Sequence, residues 1–272
     1  EDILYARREL KKLRSSVPLI AKIEKHEALE HIDGILETVD GIMVARGDLG
    51  LEIAQEKIPA VQKMIIAKAN RLGKPVITAT QMLRSMVWNP RPTRAEVTDI
   101  ANAILDGTDA LMLSEETAPG AYPLDAVKTM AQVAEETETI LEPRQRFVGL
   151  EKTIPEAISL GAISLARDLQ VKAFLIPTTS GSTARLIARY RPHYPIIAVS
   201  PEPQTVKQLC LVWGVFPIPT RGFKSTDEMV RMLQQKALES GLVKRGDLVA
   251  ITAGLPLHQT GTTNMITVKV IE

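Results

Sequence analysis

The stretch VPLIAKIE (17–24) is a short run of aliphatic residues that closes on a lysine and a glutamate. Three similar runs follow along the chain: GIMVARGD (41–48), KPVITAT (74–80) and DALMLS (109–114). Short aliphatic runs without alternation are typical of strands that are buried on both faces of a parallel sheet. Amphipathic stretches of helical period separate them. This fourfold order of strand and helix predicts α/β architecture, either a (β/α) barrel or an open doubly wound sheet.

The helices of this first part are predicted from the spacing of apolar residues and from their end signals. Thr93 and Glu96 have the spacing of a capping box, and Gly73 is placed to end the helix before it. Predicted helices cover 1–14, 25–38, 52–72, 93–106 and about 123–140.

A polar segment without periodicity, 141–152, is predicted to be a linker, and a second α/β pattern follows it. We therefore expect two domains, 1–142 and 151–272. Predicted strands of the second domain cover 172–179, 195–200, 215–220, 247–252 and 264–271, and predicted helices cover 154–168, 182–190, 203–213 and about 226–240. The last two strands are expected to form a hairpin because a loop alone joins them.

Composition bounds the function. The 272 residues are 45% hydrophobic and 24% charged, which excludes a disordered or fibrous chain. A net charge of +1 favours no nucleic-acid or membrane partner, so small molecules and other subunits are expected. Cys210, the single cysteine, is expected to fill the core and suits a reducing cytoplasm, and the four histidines lack the spacing of a transition-metal site. With no membrane-spanning run, we expect a cytoplasmic protein.

Charged side chains stand where the first two strands end. Lys22 and Glu24 are two residues apart and project to one face, and Asp48 closes the next run. Because neighbouring parallel strands present their carboxyl ends at one rim, the three side chains are expected to converge. Two carboxylates beside a lysine suit Mg²⁺ and an anionic substrate. An ion pair plus a helix-capping aspartate is the alternative.

Gly47 and Gly50 flank Asp48 and leave room for the backbone to approach a ligand, and the amides that lead into the next helix suit an anion. Thr80 ends the third run with a hydroxyl at the same rim. Together these groups describe a site for a metal-bound acidic small molecule. A simple turn at 47–50 is the alternative interpretation.

Several long strings carry a family resemblance. They are AKIE, DGIMVARGDLG, GKPVITATQML, NPRPTRAEVTDIANAILDGTDALMLS and ETAPGAYP, in this order and spacing. They closely resemble the second half of the catalytic barrel of pyruvate kinases, and the resemblance continues to nearly the end of the chain. It implies the second half of a TIM (β/α)8 barrel followed by a separate α/β C-terminal domain. It also implies the glycolytic transfer of a phosphoryl group from phosphoenolpyruvate to ADP, which gives pyruvate and ATP.

The resemblance assigns roles residue by residue. Lys22 and Thr80 match catalytic positions, Lys22 at the transferring phosphoryl group and Thr80 near protonation of the enolate. Gly47, Asp48 and Thr80 match positions that hold the substrate, and Glu24 and Asp48 match ligands of Mg²⁺. The family also uses K⁺, whose ligands have no counterpart in these residues.

In the second domain, TTSGSTAR (178–185) follows a strand and opens a helix, and it lacks the ending of a nucleotide-hydrolysing P-loop. It resembles the family's effector loop, which implies binding of a phosphorylated effector; a plain helix cap is the alternative. The implied effector-binding residues are Thr178, Thr179, Ser180, Gly181, Ser182 and Thr183. The segment 253–264 resembles the loop that closes over that site.

Departures from the family pattern matter as well. Glu115 stands where the family usually has glycine, and four βα units are present where the family has eight. We therefore expect a C-terminal portion of a longer enzyme that would not catalyse the full reaction alone. The helix at 90–104 resembles a subunit-interface element, which implies a homotetramer when intact. Two other functions remain open: a Mg²⁺-dependent barrel lyase of pyruvate-like acids, and a non-catalytic module that binds a phosphorylated metabolite.

Overall fold

The computed structural model describes residues 1–144, 153–256 and 261–272. The chain divides into two compact units, Glu1–Leu141 and Glu142–Glu272. Most of the predicted linker, from residue 145 to residue 152, lies outside the described residues.

A four-stranded parallel sheet organises the first unit, with the strands side by side in chain order. Its strands are β1 (Ile20–Ile23), β2 (Gly41–Ala45), β3 (Val76–Ala79) and β4 (Ala110–Met112). In the register of β1 and β2, Lys22 lies opposite Met43. The carboxyl ends of all four strands therefore lie at one rim of the sheet, and the polar residues that follow the strands are neighbours there.

Helices connect these strands, as the apolar periodicity predicts. They are α1 (Asp2–Lys12), α2 (His26–Glu30), α3 (Ile32–Thr38), α4 (Arg46–Glu52), α5 (Ile58–Arg71), α6 (Arg94–Asp106) and α7 (Pro123–Glu138), with 3₁₀ turns at Gln55–Lys57 and Arg84–Val87. The single helix predicted over 25–38 is wrong, because His31 leaves helical geometry at φ −110° and ψ 17°. The helix predicted from residue 52 begins at Ile58 instead, with Pro59 in its first turn.

Helix α6 begins as its sequence predicts. Thr93 and Glu96 form a complete capping box, in which each side chain meets the other residue's backbone N–H. The helix ends at Gly107, whose φ of 97° is the left-handed geometry that glycine tolerates. The capping box that the sequence predicts is therefore used in the structure.

The core of the first unit consists of two buried clusters. One buried cluster joins β1, β2 and β3 to α3 and α5, with Ile23, Leu36, Val44 and Ile65 fully buried. A second cluster packs α6 and α7 against the segment around Met82. In β2, Ile42 and Val44 belong to the first cluster, whereas Met43 between them is only partly buried, so one face of this strand is buried more fully than the other.

The second unit contains a five-stranded sheet in the order β7-β6-β5-β8-β9. Its strands are β5 (Ala173–Pro177), β6 (Ile196–Ser200), β7 (Val215–Pro219), β8 (Leu248–Gly254) and β9 (Thr263–Val270). All neighbours are parallel except β8 and β9, which pair antiparallel. The predicted pairing of the last two strands is confirmed.

Helices cover both faces of this second sheet. They are α8 (Ile154–Leu169), α9 (Ser182–Ala188), α10 (Pro203–Leu209) and α11 (Thr226–Ser240). Helices α8, α9 and α10 pack on one face, around Phe174 and Ile187, and α11 packs on the other, around Leu175 and Leu233. Cys210 follows α10 and is exposed, so the prediction that it fills the core is wrong. Residues near the end of a short helix reach solvent even when the helix itself packs.

Candidate active site

Lys22 and Glu24 meet at the carboxyl end of β1. The Nζ atom of Lys22 lies 2.7 Å from Oε2 of Glu24, and their side chains are 55% and 31% exposed. That Oε2 atom is itself buried and, within the described residues, has no well-aligned hydrogen bond; the Lys22 ammonium group lies beside it. The strand therefore presents a lysine and a partly shielded carboxylate on one face, as their spacing predicts.

Asp48 joins this pair from the end of β2. Its Oδ2 atom lies 4.0 Å from the Lys22 Nζ atom. Asp48 and Gly47 belong to the first turn of α4, which begins at Arg46, so the predicted alternative of a simple turn at 47–50 is wrong. Close polar contact with Glu24, followed by the charge of that carboxylate, raises the pKa of Lys22, and Asp48 adds a smaller effect in the same direction. Lys22 therefore stays cationic at neutral pH.

Thr80 follows β3 and points its hydroxyl toward the start of α4. Its Oγ1 atom accepts a hydrogen bond from the Gly47 N–H at 2.8 Å and donates one to the Ala79 carbonyl at 2.6 Å. Its φ of 74° is left-handed, which costs a β-branched residue about 1–3 kcal/mol. Strain of this kind persists where neighbouring contacts hold the backbone, as they do at many functional sites.

The first unit thus brings together all five residues that the sequence predicts for this rim. Lys22, Glu24 and Asp48 form the charged cluster, and Gly47 connects Asp48 to Thr80. The cluster combines a cation, two carboxylates, a hydroxyl and a short helix turn in one exposed place. Such a set suits the binding of a metal together with an acidic substrate.

Glu116 is a buried residue at this rim that sequence reasoning missed. It is 2% exposed, and its two carboxylate oxygens accept the backbone N–H groups of Leu83 at 3.0 Å and Ser114 at 2.8 Å. It therefore ties the segment after β3 to the segment after β4. An acidic residue four positions after an aliphatic strand is a signal that could have indicated this role.

Glu115, the departure from the family's usual glycine, has a local effect. Its carboxylate forms an ion pair with Arg84. The guanidinium of Arg84 also lies over the ring of Trp88, with its carbon 5.3 Å from the ring centroid. The loss of the glycine is therefore accompanied by a surface contact to the 3₁₀ turn at Arg84–Val87.

The second unit holds the predicted effector loop after β5. The Gly181 N–H donates to Thr178 Oγ1 at 2.8 Å, and the Thr179 carbonyl accepts from Thr205 Oγ1 at 2.7 Å. Thr183 Oγ1 lies 2.7 Å from Thr263 Oγ1, at the start of β9. Gly181 has φ of 80°, so the loop turns at a residue whose geometry favours glycine.

A pocket opens above this loop. The backbone carbonyl of Ser180 accepts from Arg185 Nη2 at 2.6 Å, and Ser180 Oγ lies 3.2 Å from Ser182 Oγ. The pocket is lined by Pro177, Thr178, Thr179, Ser180, Ser182, Thr183, Pro201, Gly222, Phe223, Gly254, Gly261, Thr262 and Thr263. Both ends of the predicted closing segment, 253–264, contribute to it; residues 257–260 lie outside the described residues.

Within 1–144, 153–256 and 261–272, no group of three or more histidine, cysteine, aspartate or glutamate side chains is placed to hold a metal ion. Across the same ranges, no helix has both the length and the apolar character to cross a membrane.

Family models match both units. The model described as the barrel domain of pyruvate kinase matches residues 1–127, and the model described as the alpha/beta domain of pyruvate kinase matches residues 156–269. The chain belongs to the pyruvate kinase family. The predicted fold class is confirmed: a pyruvate kinase barrel segment, present here as four parallel strands, precedes a separate α/β domain.

Curated pyruvate kinases are similar along the whole chain. Pyruvate kinase of Clostridium acetobutylicum is 50% identical, over 100% of this chain and 59% of its own length. The enzyme of Geobacillus stearothermophilus is 54% identical over 94% of this chain and 44% of its own length. That of Staphylococcus aureus strain MRSA252 is 49% identical over 99% and 47%. The chain thus spans about half the length of the curated relatives it matches.

Proposed function

We propose that this chain forms part of a pyruvate kinase that transfers a phosphoryl group from phosphoenolpyruvate to ADP, giving pyruvate and ATP in glycolysis. One observation carries the proposal. This chain belongs to the pyruvate kinase family, and its Lys22 ammonium lies 2.7 Å from Glu24 and 4.0 Å from Asp48 at the carboxyl rim of the first sheet. No specific contact favours the lyase reaction over phosphoryl transfer.

Glu24 and Asp48 would hold Mg²⁺. The buried Oε2 atom of Glu24 lacks a well-aligned hydrogen bond, and both carboxylates gather around one ammonium, so the oxygen donors fit a hard cation. Two protein carboxylates suffice, because Mg²⁺ usually completes its shell with water and substrate oxygens. When bound, the ion would neutralise charge on the phosphoryl oxygens. The family's K⁺ is part of the proposal, with no ligand assigned among these residues.

Each remaining side chain has a proposed task in the transfer. Lys22, which stays cationic at neutral pH, would stabilise negative charge on the phosphoryl and enolate oxygens. Gly47, Asp48 and Thr80 would hold the substrate, and the hydroxyl of Thr80 would act near the protonation of the enolate. Support comes from the hydrogen bond between Gly47 and Thr80, which fixes these groups relative to one another.

The loop at Thr178–Thr183 would bind a phosphorylated effector. Hydroxyls of Ser180 and Ser182 line the pocket together with Thr178 and Thr183, and such groups donate readily to phosphate oxygens. This binding would make the enzyme allosteric. The assembled protein is proposed to be a cytoplasmic homotetramer, on the strength of the resemblance of 90–104 to an interface element.

A hybrid enzyme tests the proposed reaction. Residues of this chain replace the matching region of the Geobacillus stearothermophilus enzyme, which is 54% identical to it. We expect ATP formation from phosphoenolpyruvate and ADP that depends on Mg²⁺. A hybrid that folds with the thermal stability of its parent but forms no ATP would overturn the proposal. Calorimetry of the 272-residue chain with sugar phosphates and AMP tests the effector loop separately.

A further inference from the structure

The side chain of Arg46 joins three elements around the carboxyl end of β3. Its Nη1 atom donates to Asp99 Oδ1 on α6 at 2.6 Å. Its Nη2 atom donates to the Thr80 carbonyl at 2.9 Å, and its Nε atom donates to the Ala79 carbonyl at 3.3 Å. The Arg46 side chain is only 13% exposed. Every nitrogen of the guanidinium group therefore has a protein partner, and two of them hold the backbone that carries Thr80.

That backbone needs support. Thr80 and the next residue, Gln81, both have left-handed φ values, 74° and 55°. Two consecutive residues of this kind without glycine are costly, and they persist where surrounding contacts over-determine the geometry. The hydrogen bond from Arg46 to the Thr80 carbonyl is such a contact, since it holds the peptide group that joins the two strained residues.

The residues that follow Arg46 complete the arrangement. Arg46 holds the Thr80 carbonyl, and the N–H of Gly47 donates to the Thr80 hydroxyl at 2.8 Å. Asp48 then presents its carboxylate 4.0 Å from Lys22. Three consecutive residues thus fix the carbonyl of Thr80, fix its hydroxyl and supply the neighbouring carboxylate. This segment and the Ala79 carbonyl, which accepts from the hydroxyl at 2.6 Å, together set the position of the hydroxyl relative to the charged cluster.

We infer that Arg46, held in place by Asp99, is a positioning residue that fixes the Thr80 hydroxyl for the transfer reaction. The inference rests on the proposed function. Arg46 acts through Thr80, because its polar atoms are engaged by Asp99 and by backbone carbonyls. A guanidinium is required, since its planar fork donates in several fixed directions, whereas a lysine ammonium acts as a single point charge.

Kinetics of the hybrid enzyme provide the first test. Arg46→Lys keeps the charge and loses the fork, so we expect kcat to fall about tenfold or more while KM changes little, as slight misplacement of a reacting group does. Arg7→Lys is the matched control, because Arg7 also pairs with an aspartate at 2.6 Å, Asp40, and donates to the Thr38 carbonyl at 2.8 Å. The control should leave kcat unchanged. An equal loss in both variants would overturn the inference.

A double-mutant cycle separates positioning from general support. In a Thr80→Val background the hydroxyl is absent, so Arg46→Lys should cause little further loss of kcat. Asp99→Asn, which weakens the hold on Arg46, should behave in the same way. If the losses from Arg46→Lys and Thr80→Val simply multiply, Arg46 does not act through Thr80 and the inference is wrong.

Hydrogen exchange in the 272-residue chain tests the geometry without any activity. The Gly47 amide should exchange several-fold faster in Arg46→Lys and Asp99→Asn than in the unchanged chain or in Arg7→Lys. The midpoint of unfolding should stay close to that of Arg7→Lys. Unchanged protection of Gly47 would overturn the inference. An inactive unmodified hybrid would instead count against the proposed function, and the exchange result would still decide the role of Arg46.

Discussion

At the ends of β1 and β2, the side chains of Lys22 and Asp48 are 55% and 61% exposed, whereas Thr178 and Thr183 in the loop after β5 are buried, with 8% and 6% of the whole residue exposed. The charges at the rim of the first sheet meet mainly each other. The loop hydroxyls instead make hydrogen bonds that hold the loop: Thr178 accepts from the Gly181 N–H, and the Thr183 hydroxyl pairs with the Thr263 hydroxyl.

This difference separates two kinds of site. The loop is folded by its own contacts, so changes there are expected to affect stability as well as binding. Lys22 and Asp48 at the rim are largely exposed, and exposed ion pairs contribute little to stability, so changes at these two residues are expected to affect chemistry while the fold survives. The following predictions test whether that division holds.

Lys22→Met should have the largest effect. We expect kcat of the hybrid enzyme to fall by about 10²–10³-fold, because a group that stabilises developing charge is lost. The free energy of unfolding should fall by at most about 1 kcal/mol, since the Lys22 side chain is 55% exposed, even though the Glu24 Oε2 atom loses this neighbour. Lys12→Met is the matched control, because Lys12 also lies 2.7 Å from a glutamate, Glu9, but on α1. Stopped assays of ATP and thermal melts check both variants; full turnover by Lys22→Met would remove the lysine from the mechanism.

Asp48→Asn should act through the metal. The Mg²⁺ concentration needed for half-maximal activity is expected to rise by about 10–100-fold, the scale on which groups around a metal tune its affinity. Asp33→Asn serves as the control, because Asp33 is an exposed aspartate whose carboxylate accepts from Lys68 at 2.6 Å. Titration of activity against Mg²⁺ makes the comparison. Equal Mg²⁺ curves for the two variants would contradict the assignment of Asp48 as a ligand.

Two glycine substitutions test whether a change in the loop after β5 lowers stability more than a change at the rim of the first sheet. A Cβ atom on Gly181 would lie 2.9 Å from Arg185 and 3.0 Å from Leu209, at a φ of 80°. Gly181→Ala should therefore lower the free energy of unfolding of the second unit by about 1–2 kcal/mol, the cost of left-handed geometry. A Cβ atom on Gly47 would lie 3.5 Å from Thr80, an ordinary contact, so Gly47→Ala should not destabilise the first unit. Urea unfolding measures both, and the reverse order would break the contrast.

The sequence predicts the charges at the rim of the first sheet better than the contacts that hold the loop after β5. Lys22, Glu24 and Asp48 are visible because charges are unexpected after aliphatic strands, and parallel topology alone brings such residues to one rim. Their roles as ligands and as a catalytic group stay predictions. Each strand of the described residues overlaps a predicted aliphatic run. For the parallel strands the reason is that buried parallel strands have a simple composition, whereas β9 pairs antiparallel.

Contacts between residues that are far apart in the chain could not be predicted from the sequence. Arg46 and Asp99 are 53 residues apart, and no local pattern couples them. The left-handed backbone at Thr80 contradicts the preference of threonine and depends on contacts from α4. His31 interrupts a continuous amphipathic pattern, because tertiary packing decides where a helix bends. Residue propensities describe local backbone preferences, whereas these three features depend on contacts with the rest of the fold.

The smallest expected effect concerns the caps at the start of α6 and α8. It is a difference in how their contributions to stability depend on pH. Burial acts to raise the pKa of Glu96, but hydrogen bonds from Ser85 and Thr93 together lower that pKa below its ordinary value of 4.5. A carboxyl group whose pKa is lowered by folding stabilises the fold above the ordinary pKa, and this contribution is lost as the pH falls through the lowered value. The cap at Thr153 in the second unit is a hydroxyl that accepts from the Glu156 N–H.

Glu96→Gln should therefore destabilise the first unit by about 1 kcal/mol at neutral pH, and the difference from the unchanged chain should shrink as the solution becomes acidic. Thr153→Ala, the control, removes a group that does not titrate, so its cost should be nearly constant with pH. Urea unfolding across the acidic range separates the two. A constant cost for Glu96→Gln would mean that shape, and not charge, holds the start of α6, because only a charged acceptor loses its contribution when it is protonated.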